Sequence, residues 1–191
     1  MPPKNRFTRE EIIQTAISIV RESGMDALTA RSLADRLNSS VKPIFGLFEN
    51  MEELKKCVLE KSYHMYRAYL DEDMNKGEYP PYKASGMAYI RFAMEEKELF
   101  RLLFMRDRKS DEDKGVNSEE MEMLLPLIMK SANVSKENAK RMHCELWLFV
   151  HGVAVMYATD YLEMDLKDVS NMCTDVYQGL KARFSRREET E

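Results

Sequence analysis

Helix breakers are scarce in this chain: its 191 residues include only seven glycines and six prolines. Alternating β-branched runs are scarce as well, whereas Met, Leu, Glu and Lys are plentiful. Sheet architectures lose their support and an all-α fold is predicted. The three cysteines, Cys57, Cys144 and Cys173, are far apart and in no CxxC pattern. That excludes a disulfide framework and points to a reduced, cytoplasmic setting. The opening MPPKNRFTREE lacks the apolar core of a signal peptide. The longest apolar-rich stretch, Leu146 to Leu162, is interrupted by His151 and Asp160, which suits a buried helix and not a membrane span. Ser, His and Asp fall in no catalytic arrangement, so no enzyme is expected. His143 and His151 share a helix face but are about 12 Å apart along it, and no third ligand sits nearby, so neither a metal nor a cofactor is expected.

A large charge of one sign is also missing. The net charge of −4 makes the whole molecule no electrostatic magnet for nucleic acid. The charge is unevenly spread: residues 1–56 carry nine Lys or Arg against eight Asp or Glu, and the remainder nets −5. A DNA-binding head on an acidic body fits that division.

What the chain does contain is a series of helix-start signals. Thr8 and Glu11 form a capping box, with Phe7 and Ile12 as its hydrophobic staple, and Gly24 ends the first helix in a left-handed conformation. Thr29 caps a second helix with Leu28 and Leu33 as staple, and Asn38 supplies the left-handed turn. In the third, Pro43 has no N–H to give, so the cap is placed at Ser40 and the helix at 41–48. Ile44 and Phe48 then face inward, while Val41, Lys42, Phe45 and Gly46 face out. Asn50 and Glu53 open a fourth helix that runs to about residue 75.

Five more helices follow. Tyr82–Glu96 and Lys97–Met105 have helical periodicity, and Met105–Gly115 is an exposed charged loop. Asn117 and Glu120 form another capping box, with Val116 and Met121 as staple, for a helix that Pro126 should kink. Ser135 caps a helix to about Leu162, and Asp165 one to about Phe184. The tail SRREETE is polar and frayed. The total is about nine helices. Residues 1–50 form a helix-turn-helix head, residues 51–191 a ligand-binding and dimerisation body, and helix 4, about 51–75, is the connector.

At Leu28–Leu54 the pattern LT-x-R-x-LA-x-R-L, a turn, then S-x-x-P-I-F-x-x-F-x-N-x-E-E-L resembles the TetR/AcrR family of bacterial transcription regulators. The run I-x-x-A-x-x-I-V-x-E-x-G from Ile13 to Gly24 matches the same family. The resemblance covers roughly 50 residues and extends beyond helix 4 only to helix count and order. It implies an all-α homodimer, probing a palindromic double-stranded operator with its heads and binding a small, partly apolar effector in its body. Release of the operator by that effector would make the protein a repressor. The alternative is a helical small-molecule-binding or scaffolding protein with little DNA affinity. That alternative is kept open by three departures from the family. Phe45, Leu47 and Met51 stand where polar groups usually hold the DNA backbone.

The candidate DNA-contacting residues are Thr29, Arg31, Ser40, Val41, Lys42, Pro43, Phe45, Gly46 and Lys55. Lys42 is either a base contact, near the start of the recognition helix, or a solvated lysine. Compensation for the lost backbone contacts falls to Lys42, Lys55, Lys56, Arg31, Lys4 or Arg6. Candidate ligand-pocket residues are Tyr66, Tyr89, Phe92, Phe104, Met121, Leu125, Trp147 and His151, each of which also suits an ordinary core. By the resemblance, the last two helices pair with their mates, with Phe149, Val153, Tyr157, Val176 and Leu180 as interface candidates.

Overall fold

The structure, a computed structural model, describes residues 7–107 and 118–188. Among these residues there are nine α-helices, one short 3-10 turn and no strand. The helices are α1 (Arg9–Ser23), α2 (Ala30–Arg36), α3 (Lys42–Phe45), α4 (Met51–Lys76) and α5 (Pro81–Glu95). They continue with α6 (Lys97–Phe104), α7 (Ser118–Ala132), α8 (Lys136–Ala158) and α9 (Leu166–Glu188). Two compact units result. The first is the described part of Met1–Arg67 with Glu96–Arg106; the second is Ala68–Glu95 with the described part of Asp107–Glu191. The first unit therefore reaches past the expected head of residues 1–50 and recruits α6.

The first unit is built on α1. Thr8 accepts from the Glu11 N–H while the Glu11 carboxylate accepts from the Thr8 N–H, so the capping box is complete. Such a cap stabilises a helix by about 1 kcal/mol. Ile12, Ala16 and Val20 are fully buried, one turn apart. Each large aliphatic buried in this way contributes roughly 1.5–3 kcal/mol. Gly24 has the positive φ expected of it, +78°, but its ψ of 172° is extended and not left-handed helical. The extended ψ sends the chain into the 3-10 turn Met25–Ala27. A Cβ on Gly24 would also stand 3.1 Å from the Glu98 carboxylate of α6.

Around the turn the structure corrects two cap assignments. The N-cap of α3 is Val41, without a side-chain hydrogen bond, so the Ser40 hydroxyl does not cap it. Pro43 still lies in the first turn, where its missing N–H costs little. Regular helix is shorter than 41–48, although tight turns continue through the Phe48 N–H bonded to the Ile44 carbonyl. At α4, Asn50 Oδ1 accepts from the Glu53 N–H at 2.9 Å, but the Glu53 carboxylate reaches the Glu49 N–H and not that of Asn50. Asn38 adopts φ 47°, the left-handed turn conformation expected of it. Thr29 shares a reciprocal cap with Ser32.

In the second unit, Leu125, Ile128, Ala139, Met142, Leu146 and Phe184 form the core between α7, α8 and α9. Helix α8 stops at Ala158, not near Leu162. Asp160 takes φ 56°, and the Tyr161 and Leu162 N–H groups turn back to the Met156 carbonyl. The Tyr157 hydroxyl then donates to the Met164 carbonyl at 2.8 Å, fixing the passage into α9. The C-terminal end of α4 is clamped to α5. Arg91 bonds Asp73 and Glu72 at 2.9 Å each and lies 4.3 Å over the Tyr69 ring. Helix α9 runs on to Glu188, past the expected end near Phe184, so the first residues of the tail are helical and not frayed. Asn117, Val116, Lys4, Arg6, most of the charged loop and residues 189–191 lie outside the described residues.

Candidate functional site: a helix-turn-helix face and a cavity

Helices α2 and α3 with the turn between them form a helix-turn-helix within the first unit. Buried Leu33, Ala34, Ile44 and Phe48 hold the pair down. Arg9 locks the end of this motif. Its guanidinium donates to the Leu47 carbonyl at 2.7 Å, pairs with Glu53 and lies 4.1 Å over the Phe48 ring. Most cations of this unit are similarly engaged: Arg36 pairs with Glu22, Lys61 with Glu10, Arg21 with Glu96 and Lys55 with Glu52.

Arg31, Lys42 and Lys56 differ: all three are exposed, and none has a carboxylate partner among the described residues. Thr29, Ser40 and Gly46 are exposed too, and Pro43 is half-buried. Val41 and Phe45 put apolar surface into solvent, at 41% and 45% exposure. Leu47 and Met51 are half-buried. Apolar side chains therefore suit both positions. Lys55, held by Glu52 at 3.0 Å, is less available than Lys42.

The second unit contains a cavity of about 790 Å³, every lining residue of which belongs to that unit. Two hydrogen-bonded pairs join α5 to α8 along its wall. The Tyr82 hydroxyl lies 3.1 Å from His143 Nδ1, and the Tyr89 hydroxyl 2.8 Å from His151 Nδ1. Desolvation holds both imidazoles below their usual range and both phenols above theirs. With the rings neutral and the phenols protonated, each pair shares one hydrogen bond, its direction set by the imidazole tautomer. His151 also stacks on Trp147, with centroids 4.9 Å apart and an angle of 11°. Opposite, Lys83 donates to Thr174 Oγ1 at 2.8 Å, and Ser131 shares a 2.6 Å hydrogen bond with Tyr177. Burial pushes the Cys173 thiol up, against the pull of the Lys83 charge.

Of the pocket residues expected from sequence, Tyr89 and Trp147 line this cavity and His151 supports them. Tyr66 and Phe104 meet edge-on, 5.2 Å apart, in the first unit. Phe92 is fully buried against Tyr69. Leu125 lies in the α7–α9 core and Met121 packs on it. Tyr82, Lys83, His143, Thr174 and Tyr177 were missed. The spacing carried a signal, since Tyr82 and Tyr89 are seven apart on one helix and His143 and His151 eight apart on another. Both pairs thus repeat on one helix face. Among the described residues there is no group of three or more potential metal ligands.

On α8 and α9, Tyr157 is buried within its own chain, and Val176 and Leu180 pack on its core; Phe149 and Val153 are half-buried. The large apolar groups left outside are Leu148, Met156 and Met172, at 59%, 42% and 41% exposure. A Cβ at Gly152 or at Gly179 would meet nothing within 4 Å.

Residues 82–176 match the family described as "Tetracyclin repressor-like, C-terminal domain". The tetracycline repressor protein class C of Escherichia coli is 34% identical over 56 residues, which are 29% of this chain and 26% of that protein. Two solved structures from Rhodococcus sp. RHA1 share the fold. One, of unknown function, has a TM-score of 0.74 at 18% identity and covers 95% of this chain and all of its own. The other, a TetR-like transcriptional regulator, has a TM-score of 0.66 at 15% identity over 96% and 97% of the two chains. Among the described residues no helix is long and apolar enough to cross a membrane.

Proposed function

We propose, for a chain that belongs to the TetR family, a cytoplasmic, homodimeric, ligand-responsive DNA-binding regulator that leaves its operator when a small molecule occupies the cavity. One observation carries this reading. Helix α4 is continuous from Met51 to Lys76, beginning in the unit with the helix-turn-helix and ending in the unit with the cavity. The Arg91 clamp ties its last turns to α5, which also carries Tyr82, Lys83 and Tyr89. A ligand that binds one arrangement of α5 better than another therefore biases the position of α4.

At the DNA, Lys42 and Val41 reach base edges, while Arg31, Thr29 and the α4 amino end hold phosphates. Lys56 and Arg31, both exposed and without a carboxylate partner among the described residues, take over the phosphate contacts that Phe45, Leu47 and Met51 cannot make. Two copies pair through α8 and α9. The exposed Leu148, Met156 and Met172, and the open space at Gly152 and Gly179, favour close approach of a second helix pair.

Selection from a random duplex library tests the proposal. The expected result is a palindrome with half-sites roughly 34–36 Å apart. Failure to enrich any sequence would contradict it.

A further inference from the structure

We infer that the effector is an amphipathic anion, a carboxylate or similar monoanion on an apolar body, with its charged end at Lys83. This rests on the reading of the cavity as the effector site and adds the chemical class of the occupant. Three cations, Lys83 of α5, Lys130 of α7 and Lys181 of α9, come from three different helices to line the same cavity. Among the described residues none of them has a carboxylate partner. Lys83 bonds Thr174 and faces the Tyr79 ring at 4.8 Å, and Lys181 bonds the Ser131 carbonyl at 2.7 Å. Elsewhere on α5 the arrangement is the reverse, with Arg91 paired to both Asp73 and Glu72. Lys83 and Lys181, half-buried and answered only by neutral oxygens, leave room for a negative charge, and a carboxylate accepting from them gains charge-assisted hydrogen bonds; Lys130 adds an exposed charge at the rim.

The cavity is polarised along α5. Glu120 is its one acidic wall residue; burial first, and the Glu120 charge after it, hold the Tyr89 hydroxyl protonated. Tyr89 lies six residues beyond Lys83, about 9 Å along the helix. An anionic head is thus attracted at the Lys83 end and repelled at the Glu120 end, which fixes one orientation. Between them Leu146, Trp147 and Val150 offer an apolar wall. The volume, about 790 Å³, lies within the roughly 300–1,000 Å³ of drug-sized sites. Tyr82 and Tyr177 add neutral hydroxyls beside the head and do not offset its charge.

The test uses the full chain without DNA. Trp147 is the single tryptophan and lines the cavity, so its fluorescence reports occupancy directly. Decanoate, decanol and decyltrimethylammonium are titrated below their micelle concentrations. Decanoate is expected to bind about tenfold more tightly than the other two. That preference should vanish in Lys83→Met and shrink in Lys181→Met, with decanol binding unchanged and circular dichroism confirming the helical fold. Equal binding of the three probes, or preference for the ammonium, overturns the anion assignment and leaves the cavity as an effector site. No fluorescence response to any probe overturns the assignment and the site reading together.

Discussion

The Tyr82 hydroxyl stands 3.1 Å from His143 Nδ1, joining α5 to α8 inside the cavity wall. Desolvation keeps the imidazole of His143, and that of His151 one pair further along, below the ordinary value of 6.5. The unfolded chain therefore takes up protons near pH 6.5 that the folded chain refuses. Stability is full above that pH and falls as pH drops from 6.5 towards the lower folded values. Thermal unfolding between pH 7.5 and pH 5.5, a window above the carboxylate range, should show a declining midpoint. The decline should be smaller in His143→Gln. A midpoint independent of pH across that window would contradict the neutral buried pairs.

Lys42 is exposed and has no carboxylate partner, so the fold does not depend on it. Lys42→Ala should lower specific DNA affinity roughly tenfold or more, the worth of a good base-edge contact, and leave the melting temperature unchanged. Fluorescence anisotropy beside a thermal melt checks both. Equal affinity of variant and parent would remove Lys42 from the reading surface.

The Arg91 clamp separates binding from response. In Arg91→Gln the bonds to Asp73 and Glu72 are lost, while the cavity wall, which Arg91 does not line, is untouched. A compound that releases the parent from DNA should still change Trp147 fluorescence in the variant. It should release DNA several-fold less well, a loss of coupling and not of affinity. Unimpaired release would show that the signal does not pass through α5 and the end of α4.

Gly152 tests the proposed pairing of α8 and α9. A Cβ there meets nothing within 4 Å among the described residues, and replacing a helical glycine favours the helix by up to about 1 kcal/mol. Gly152→Glu should therefore melt no lower as a subunit but run as a monomer in light scattering, with operator affinity falling sharply. A variant that stays dimeric would move the interface elsewhere.

Local signals were the most legible part of the sequence. The Thr8 box, the Asn38 turn and the Pro43 register depend on neighbours within four residues, and the family pattern read from Leu28–Leu54 agrees with the match found over residues 82–176. What stayed hidden depends on which helix packs on which. Tyr66 and Phe104 look like pocket residues until α6 is seen to pack in the first unit. Nothing in the sequence sets Lys83 apart from other lysines until α9 supplies Thr174. The Ser40 cap failed because Val41 already has helical φ and ψ and its carbonyl accepts the first bonds of α3. Leu148, rather than Tyr157, remained outside because α8 turns the tyrosine inward to the Met164 carbonyl.

The central claim is that this protein grips duplex DNA through the Leu28–Leu54 face and lets go when its cavity fills. Anisotropy of a labelled duplex taken from beside its gene, titrated at several salt concentrations with and without an effector that changes Trp147 fluorescence, measures both halves. The account predicts an affinity that falls steeply and linearly on a log–log salt plot, with a slope set by the phosphates neutralised, and a further drop when the effector is added. No salt-sensitive binding at protein concentrations up to about micromolar, the tight end of the usual ~10⁻⁴–10⁻⁶ M non-specific range, would contradict it.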